Sequence, residues 1–206
     1  IPIEADNKNV RQILEDRNGR IFLNTGFQLY AYHPREEKIT CVLPEISPGN
    51  AFYAQCHIAP DNNLWVMTST GLRCYDPSTL QLKESVALNG YPYYSYLHNN
   101  ELWITGNHTL SIFDTRTRSF KPLPQPIAQN TTLCNADIDY IHPYGNNGLL
   151  LNTARHGMFY YNPGTGSVTA RTERIPLRDA PVPNQPDVHR LAAEPVDSSV
   201  DQGYTV

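Results

Sequence analysis

Charge is what this sequence has least of. Only 17% of its 206 residues are Asp, Glu, Lys or Arg, against roughly 25% in ordinary globular chains. The net charge is −4 and no basic run occurs, so the electrostatic footprint that nucleic acid or an anionic membrane surface requires is missing. No apolar run approaches the roughly 18 residues needed to span a bilayer. Membrane attachment is therefore expected only through a segment absent from this chain. The opening residues, Ile1 to Asn9, carry neither an initiator Met nor a signal-peptide pattern, and read as the start of a processed or excised piece. Four cysteines (Cys41, Cys56, Cys74 and Cys134) show no C-x-x-C spacing and are too few for a disulfide scaffold at this length. They read first as small buried hydrophobes, and second as a disulfide in an oxidising compartment.

Motifs that carry chemistry are also missing. None of the seven histidines forms an H-x-H or H-E-x-x-H pair, so no metal site is expected. There is no G-x-S-x-G, no phosphate loop and no dinucleotide fingerprint, which leaves no expected cofactor and no catalytic residue. Glu36-Glu37 lies in the charge run REEK and reads as a solvated turn.

What is abundant is tyrosine and proline, 13 and 17 residues, a balance that favours strands and turns over helices. The chain also repeats itself. Four apolar quintets, Ile21 to Thr25, Leu64 to Thr68, Leu102 to Gly106 and Leu149 to Thr153, align with one another. Their second residues, Phe22, Trp65, Trp103 and Leu150, are 43, 38 and 47 residues apart, and Tyr32, Tyr75, Phe113 and Tyr161 keep step downstream. Periods of about 40 to 50 residues are those of propeller blades. Each copy reads as an apolar strand, an Asn, Asp or Gly turn, the quintet strand, a short loop, a strand ending at a Tyr-Asp-Pro type corner, and a more polar fourth strand. Both parities of Leu64-Trp65-Val66-Met67 are apolar, so both faces of that strand need cover. A lone sheet cannot supply it, but sheets packed face to face around an axis can. The expected fold is all-β: four-stranded antiparallel blades at about 10–43, 51–88, 92–124 and 137–171. Trp65 and Trp103 are expected to pack between blades, and Asp76 and Asn162 to build turns. The Pro-rich stretch 172–186 reads as an inter-blade linker and 187–206 as the start of a truncated fifth blade. The whole then reads as part of a propeller of roughly seven blades.

The repeats resemble those of the two-component regulator propeller family, whose blades run apolar strand, E-D-x-x-G, a hydrophobic-Trp-hydrophobic-x-T strand and G-L-x-x-Y-D. Glu15-Asp16-Arg17-Asn18-Gly19 with Ile21-Phe22-Leu23-Asn24-Thr25 carries the first half, with Phe22 in place of Trp. Leu64-Trp65-Val66-Met67-Thr68 and Gly71-Leu72-Arg73-Cys74-Tyr75-Asp76-Pro77 carry the second. Copies at Leu102-Trp103-Ile104-Thr105 and Gly148 to Thr153 are looser, and Gly106 stands where Thr is expected. The resemblance spans about residues 10 to 171. It implies a periplasmic, non-catalytic sensor region of a Bacteroides-type hybrid two-component histidine kinase, responding to glycan-derived oligosaccharides. It also implies a homodimer of the full-length protein, with the kinase outside this chain.

Two other functions stay open at this stage: a propeller enzyme of the streptogramin-lyase type, and a protein-interaction propeller. A lyase would need a His-Glu acid-base pair at a channel mouth. His108 and His156 fall in equivalent loops without an accompanying Glu. The candidate ligand residues lie on the loops expected to share one face: Tyr91, Tyr93, Asn107, His108, Arg155 and His156. In Tyr91-Pro92-Tyr93-Tyr94-Ser95-Tyr96, alternation sets Tyr94 and Tyr96 on one strand face, with Tyr91 and Tyr93 nearer its entry. The cluster reads either as packing in an inner strand or as rings stacking on a sugar. Arg155 reads either as a solvated turn residue or as a clamp for a uronate or sulfate.

Overall fold

A computed structural model describes residues 10–26, 28–43, 55–145 and 147–171. The linker expected at 172–186 and the truncated fifth blade expected at 187–206 lie outside these residues, as do 51–54 of the expected second blade. Sixteen strands among the described residues form four antiparallel sheets, each pairing its strands in chain order. Sheet 1 holds β1 (Gln12–Glu15), β2 (Ile21–Asn24), β3 (Leu29–His33) and β4 (Lys38–Leu43). Sheet 2 holds β5 (Gln55–Ile58), β6 (Leu64–Thr68), β7 (Gly71–Tyr75) and β8 (Leu82–Ala87). Sheet 3 holds β9 (Pro92–His98), β10 (Glu101–Gly106), β11 (Thr109–Asp114) and β12 (Ser119–Lys121). Sheet 4 holds β13 (Ile138–Tyr144), β14 (Gly148–Thr153), β15 (Gly157–Asn162) and β16 (Ser167–Arg171).

The doubly apolar second strands explain why the sheets stack. Because side chains alternate across a strand, Leu64 and Val66 of β6 face sheet 1 and pack with Phe22 and Ala31. Trp65 and Met67 point the other way and pack with Leu102, Ile104 and Phe113 of sheet 3. Trp103 then turns toward sheet 4, meeting Leu149, Leu151 and Tyr161. The repeat residues therefore interlock in register. The second quintet residue of one sheet meets the third-strand aromatic of the next, as in Trp65 against Phe113 (centroids 5.1 Å apart) and Trp103 against Tyr161 (5.7 Å). Phe22 and Tyr75 share a cluster in the same way. Tyr32 occupies that register position on the far face of sheet 1 and is half-buried. Leu150 lies on the far face of sheet 4 and is buried.

The turns follow the sequence pattern. Asp76, Asp114 and Asn162 each accept from the backbone N–H groups two and three residues on, which is the Asx-turn geometry these residues favour. The quintet-ending Thr25, Thr68 and Thr153 each donate a hydroxyl to a carbonyl at the start of the following strand. In sheet 3 that threonine is replaced by Gly106 for a steric reason. A Cβ there would sit 2.6 Å from Thr109 Oγ1 and 2.8 Å from the carbonyl oxygen of Tyr91, and the second of these is backbone that cannot rotate away.

One expectation needs correcting. The stretch Pro122 to Asp137, where the blades expected at 92–124 and 137–171 leave only a connecting loop, contains two single-turn helices, α1 (Gln125–Ala128) and α2 (Thr131–Asn135). Pro124 and Pro126 set the start of the first, and the Asn130 side chain caps the second by accepting from the N–H groups of Thr132 and Leu133. Ile127 and Leu133 are buried in the cluster between sheets 3 and 4, so the segment is packed instead of being solvated.

Candidate functional site

The first strands of the four sheets lie side by side and line one concave groove of about 980 Å³. Its walls include Arg11, Gln12 and Asn24 from sheet 1, and Gln55 and His57 from sheet 2. From sheets 3 and 4 come Tyr91, Tyr93, Tyr94, Ser95, Tyr96, Asp139 and Tyr140.

A single register position organises these walls. Gln12, Gln55, Tyr94 and Tyr140 each pair with the fourth residue of their sheet's quintet. In sheet 1 the Gln12 amide behaves like a peptide group of the next strand. Its Nε2 donates to the Cys56 carbonyl (2.7 Å), and its Oε1 accepts from the Cys56 N–H (3.0 Å). Gln55 repeats this toward sheet 3 using only its oxygen, which accepts from the Ser95 N–H and the Ser95 hydroxyl. In sheet 3 the amide is replaced by Tyr94, which reaches the next sheet through its ring, 5.3 Å from that of Tyr140 and edge-on. Polar clamps thus join sheets 1 to 2 and 2 to 3, and an aromatic contact joins sheets 3 to 4.

The Gln pair can be tested by its asymmetry. Gln12→Glu deletes a donor and sets a carboxylate against the Cys56 carbonyl, so a cost of about 1–3 kcal/mol is expected. Gln55→Glu keeps an acceptor for both Ser95 donors and should cost less than about 1 kcal/mol. Urea midpoints of the two variants check the order. Equal losses would contradict the assigned amide roles.

His57 extends the second clamp. Its Nε2 lies 2.8 Å from the Ser95 hydroxyl. That hydroxyl already gives its proton to Gln55, so the hydrogen-bond network assigns the proton to Nε2, which donates. Burial pushes the imidazole down to about 4, leaving it neutral at pH 7. Ser95 is only 2% exposed and its hydroxyl is directed at an amide oxygen, so the pair forms a structural relay with no activated nucleophile. Burial also pushes the phenols of Tyr94 and Tyr96 up, keeping them protonated. Among the described residues no cluster of three or more His, Cys, Asp or Glu converges to hold a metal.

No family model and no curated protein matches this sequence. Solved structures do. The extracellular domain of BT4673 from B. thetaiotaomicron, described as a hybrid two component system, aligns at TM-score 0.63 with 18% identity, over 86% of this chain and 23% of that one. The extracellular domain of BT3049 from the same organism, described likewise, aligns at 0.53 with 18% identity, over 81% of this chain and 25% of that one. The β-propeller domain of Cps50 (Swd1) from Myceliophteria thermophila aligns at 0.53 with 11% identity, over 78% and 56%. The four sheets are propeller blades. This chain spans about a quarter of the length of the two B. thetaiotaomicron domains. They are of the kind that the repeat motifs resemble, and at these identities the likeness is one of fold.

In propeller terms the groove runs along the innermost strands, where the blades converge. The sequence-derived candidates divide between it and the loops. Tyr91 and Tyr93 line the groove, 41% and 45% exposed, with ring centroids 6.2 Å apart. Tyr94 and Tyr96, which also border the groove, pack against the core between blades 3 and 4, as the packing reading of the tyrosine cluster expects. Asn107 and His108 sit on the β10–β11 turn. His108 is tied to the helical segment, its backbone N–H to Asp137 Oδ1 (3.0 Å) and its Nδ1 close to Asp137 Oδ1 (3.3 Å) and the Asn135 carbonyl (3.2 Å). Its carboxylate neighbour is thus an Asp, where sequence reading sought a Glu. Arg155 and His156 occupy the β14–β15 turn, where the His156 N–H donates to Thr153 Oγ1. Sequence reading missed Arg11, Gln55, His57, Asp139 and Tyr140. The cue for Gln55 and Tyr140 was their shared register with Gln12 and Tyr94, which emerges only once strand pairing is known.

Proposed function

We propose that this propeller is a periplasmic, non-catalytic sensing region of a hybrid two-component histidine kinase, and that its ligand is an oligosaccharide released from a complex glycan. The observation that carries this reading is the groove itself. Concave surface with exposed rings and a few convergent polar groups is the default place for a small ligand, and here Tyr91, Tyr93 and Tyr140 present that surface. The extracellular domains of BT4673 and BT3049 offer the setting. In this reading the membrane segment and kinase belong to other parts of a longer, homodimeric protein. Ligand binding favours one arrangement of the propeller over another and so shifts an existing equilibrium across the membrane. The neutral His57–Ser95–Gln55 relay joins blades and needs no turnover to do so.

Calorimetric titration of oligosaccharide fractions, followed by chromatography of the same samples, tests the proposal. Saturable binding with the sugars recovered intact is expected. Steady product formation would replace the sensor reading with the lyase one.

A further inference from the structure

The groove has two chemically distinct walls. Along blades 1 and 2 it presents amides and the neutral imidazole, with Gln12, Gln55 and His57 engaged with neighbouring blades. Along blades 3 and 4 the same register position switches from glutamine to tyrosine, and Tyr91 and Tyr93 add two further rings. Three rings on that side remain open to solvent: Tyr91, Tyr93 and Tyr140, the last 51% exposed. Formal charge is balanced, with Arg11 on one wall and Asp139 on the other.

We infer that the groove takes an uncharged pyranose oligosaccharide, with the C–H faces of its rings laid on Tyr91, Tyr93 and Tyr140 and its hydroxyl edges turned to the amide wall. This deepens, and rests on, the oligosaccharide-sensor reading. A pyranose ring is amphipathic, with a flat patch of C–H groups bounded by hydroxyls, and the groove offers a matching division. The face of a tyrosine ring carries the negative part of its quadrupole, which attracts polarised C–H groups and disfavours a carboxylate or sulfate laid over it. An acidic sugar would also have to shed water without a dedicated cation, since Arg11 is offset by Asp139 and His57 is uncharged at neutral pH. Arg155, the sequence-derived candidate for a uronate clamp, is not among the groove-lining residues.

The experiment is calorimetric titration with β-1,4-linked tetraoses of glucose, xylose and mannose, and with tetragalacturonate as the acidic comparison. At least one neutral tetraose should bind, with tetragalacturonate weaker by about tenfold or more, and Tyr140→Ala should weaken the neutral ligand by about tenfold, the loss of one stacked ring. Arg155→Gln, outside the groove lining, should change neutral binding by less than about threefold, the scale of a screened surface charge. Tighter binding of tetragalacturonate, lost in Arg11→Gln, would overturn the inference while leaving an oligosaccharide sensor intact. Binding of no sugar by a chain with an unaltered circular dichroism spectrum would overturn the sensor reading as well. Binding indifferent to Tyr140→Ala and Tyr93→Ala would remove the groove as the site.

Discussion

Trp65→Ala should destabilise the described propeller unit by about 3–5 kcal/mol, the range for emptying a buried large aromatic site. Trp65 is fully buried between blades 2 and 3, edge-on to Phe113 and surrounded by Met67, Leu72, Leu102 and Ile104. Neither neighbouring sheet can collapse into the space, because each is held by its own ladder and by a further sheet on its other face. Domains of this kind have only about 5–15 kcal/mol in hand, so the loss should show as a lowered urea midpoint and partial unfolding at room temperature. A cost below about 1 kcal/mol would mean that the blades do not depend on this contact.

A second large effect is expected from pH. His57 has a folded-state value of about 4 against an ordinary 6.5, because burial disfavours its charged form. A depressed histidine binds its proton more readily when unfolded. Its contribution is therefore fully present above pH 6.5 and disappears as pH falls from 6.5 towards 4. The shift corresponds to at most about 3 kcal/mol. Asp76, held at about 2 by Lys83 and the turn N–H groups, and Asp114, lowered by its own turn N–H groups, lose stabilisation only below the ordinary carboxylate range, outside this window. Urea titrations at pH 7 and pH 4.5 should show a marked loss in the wild type and a smaller one in His57→Gln. Parallel losses in the two proteins would remove His57 as the cause.

Much of the fold was legible because it is written four times. Phe22, Trp65, Trp103 and Leu150 could be aligned without any structure, and strand alternation alone then placed them on one face of each sheet. The turn-forming roles of Asp76 and Asn162 followed from short-range chemistry that the residue type dictates. The helices at Gln125–Ala128 and Thr131–Asn135 were not read because each is a single turn, too short for a periodicity to emerge. Their signals were Pro124 and Pro126 for one and Asn130 for the other. The site was the least legible part. Tyr91 and Tyr93 stood out as a local cluster, but the groove is assembled from first strands some 40 residues apart, and its defining partners, Gln55 with Ser95 and Tyr94 with Tyr140, have no sequence signature. Loop position suggested Asn107, His108, Arg155 and His156. The groove is instead lined largely by inner-strand side chains.

The binding energy is expected to reside in the groove and not in the turns. The decisive measurement is a calorimetric titration of one bound oligosaccharide against two sets of variants, Tyr93→Ala with Tyr140→Ala from the groove, and Asn107→Ala, His108→Ala, Arg155→Ala and His156→Ala from the turns. Binding should weaken by about tenfold or more in each groove variant, the scale of one lost aromatic contact, and by less than about twofold in the turn variants. Loss confined to the turn variants, with groove variants at wild-type affinity, would contradict this expectation.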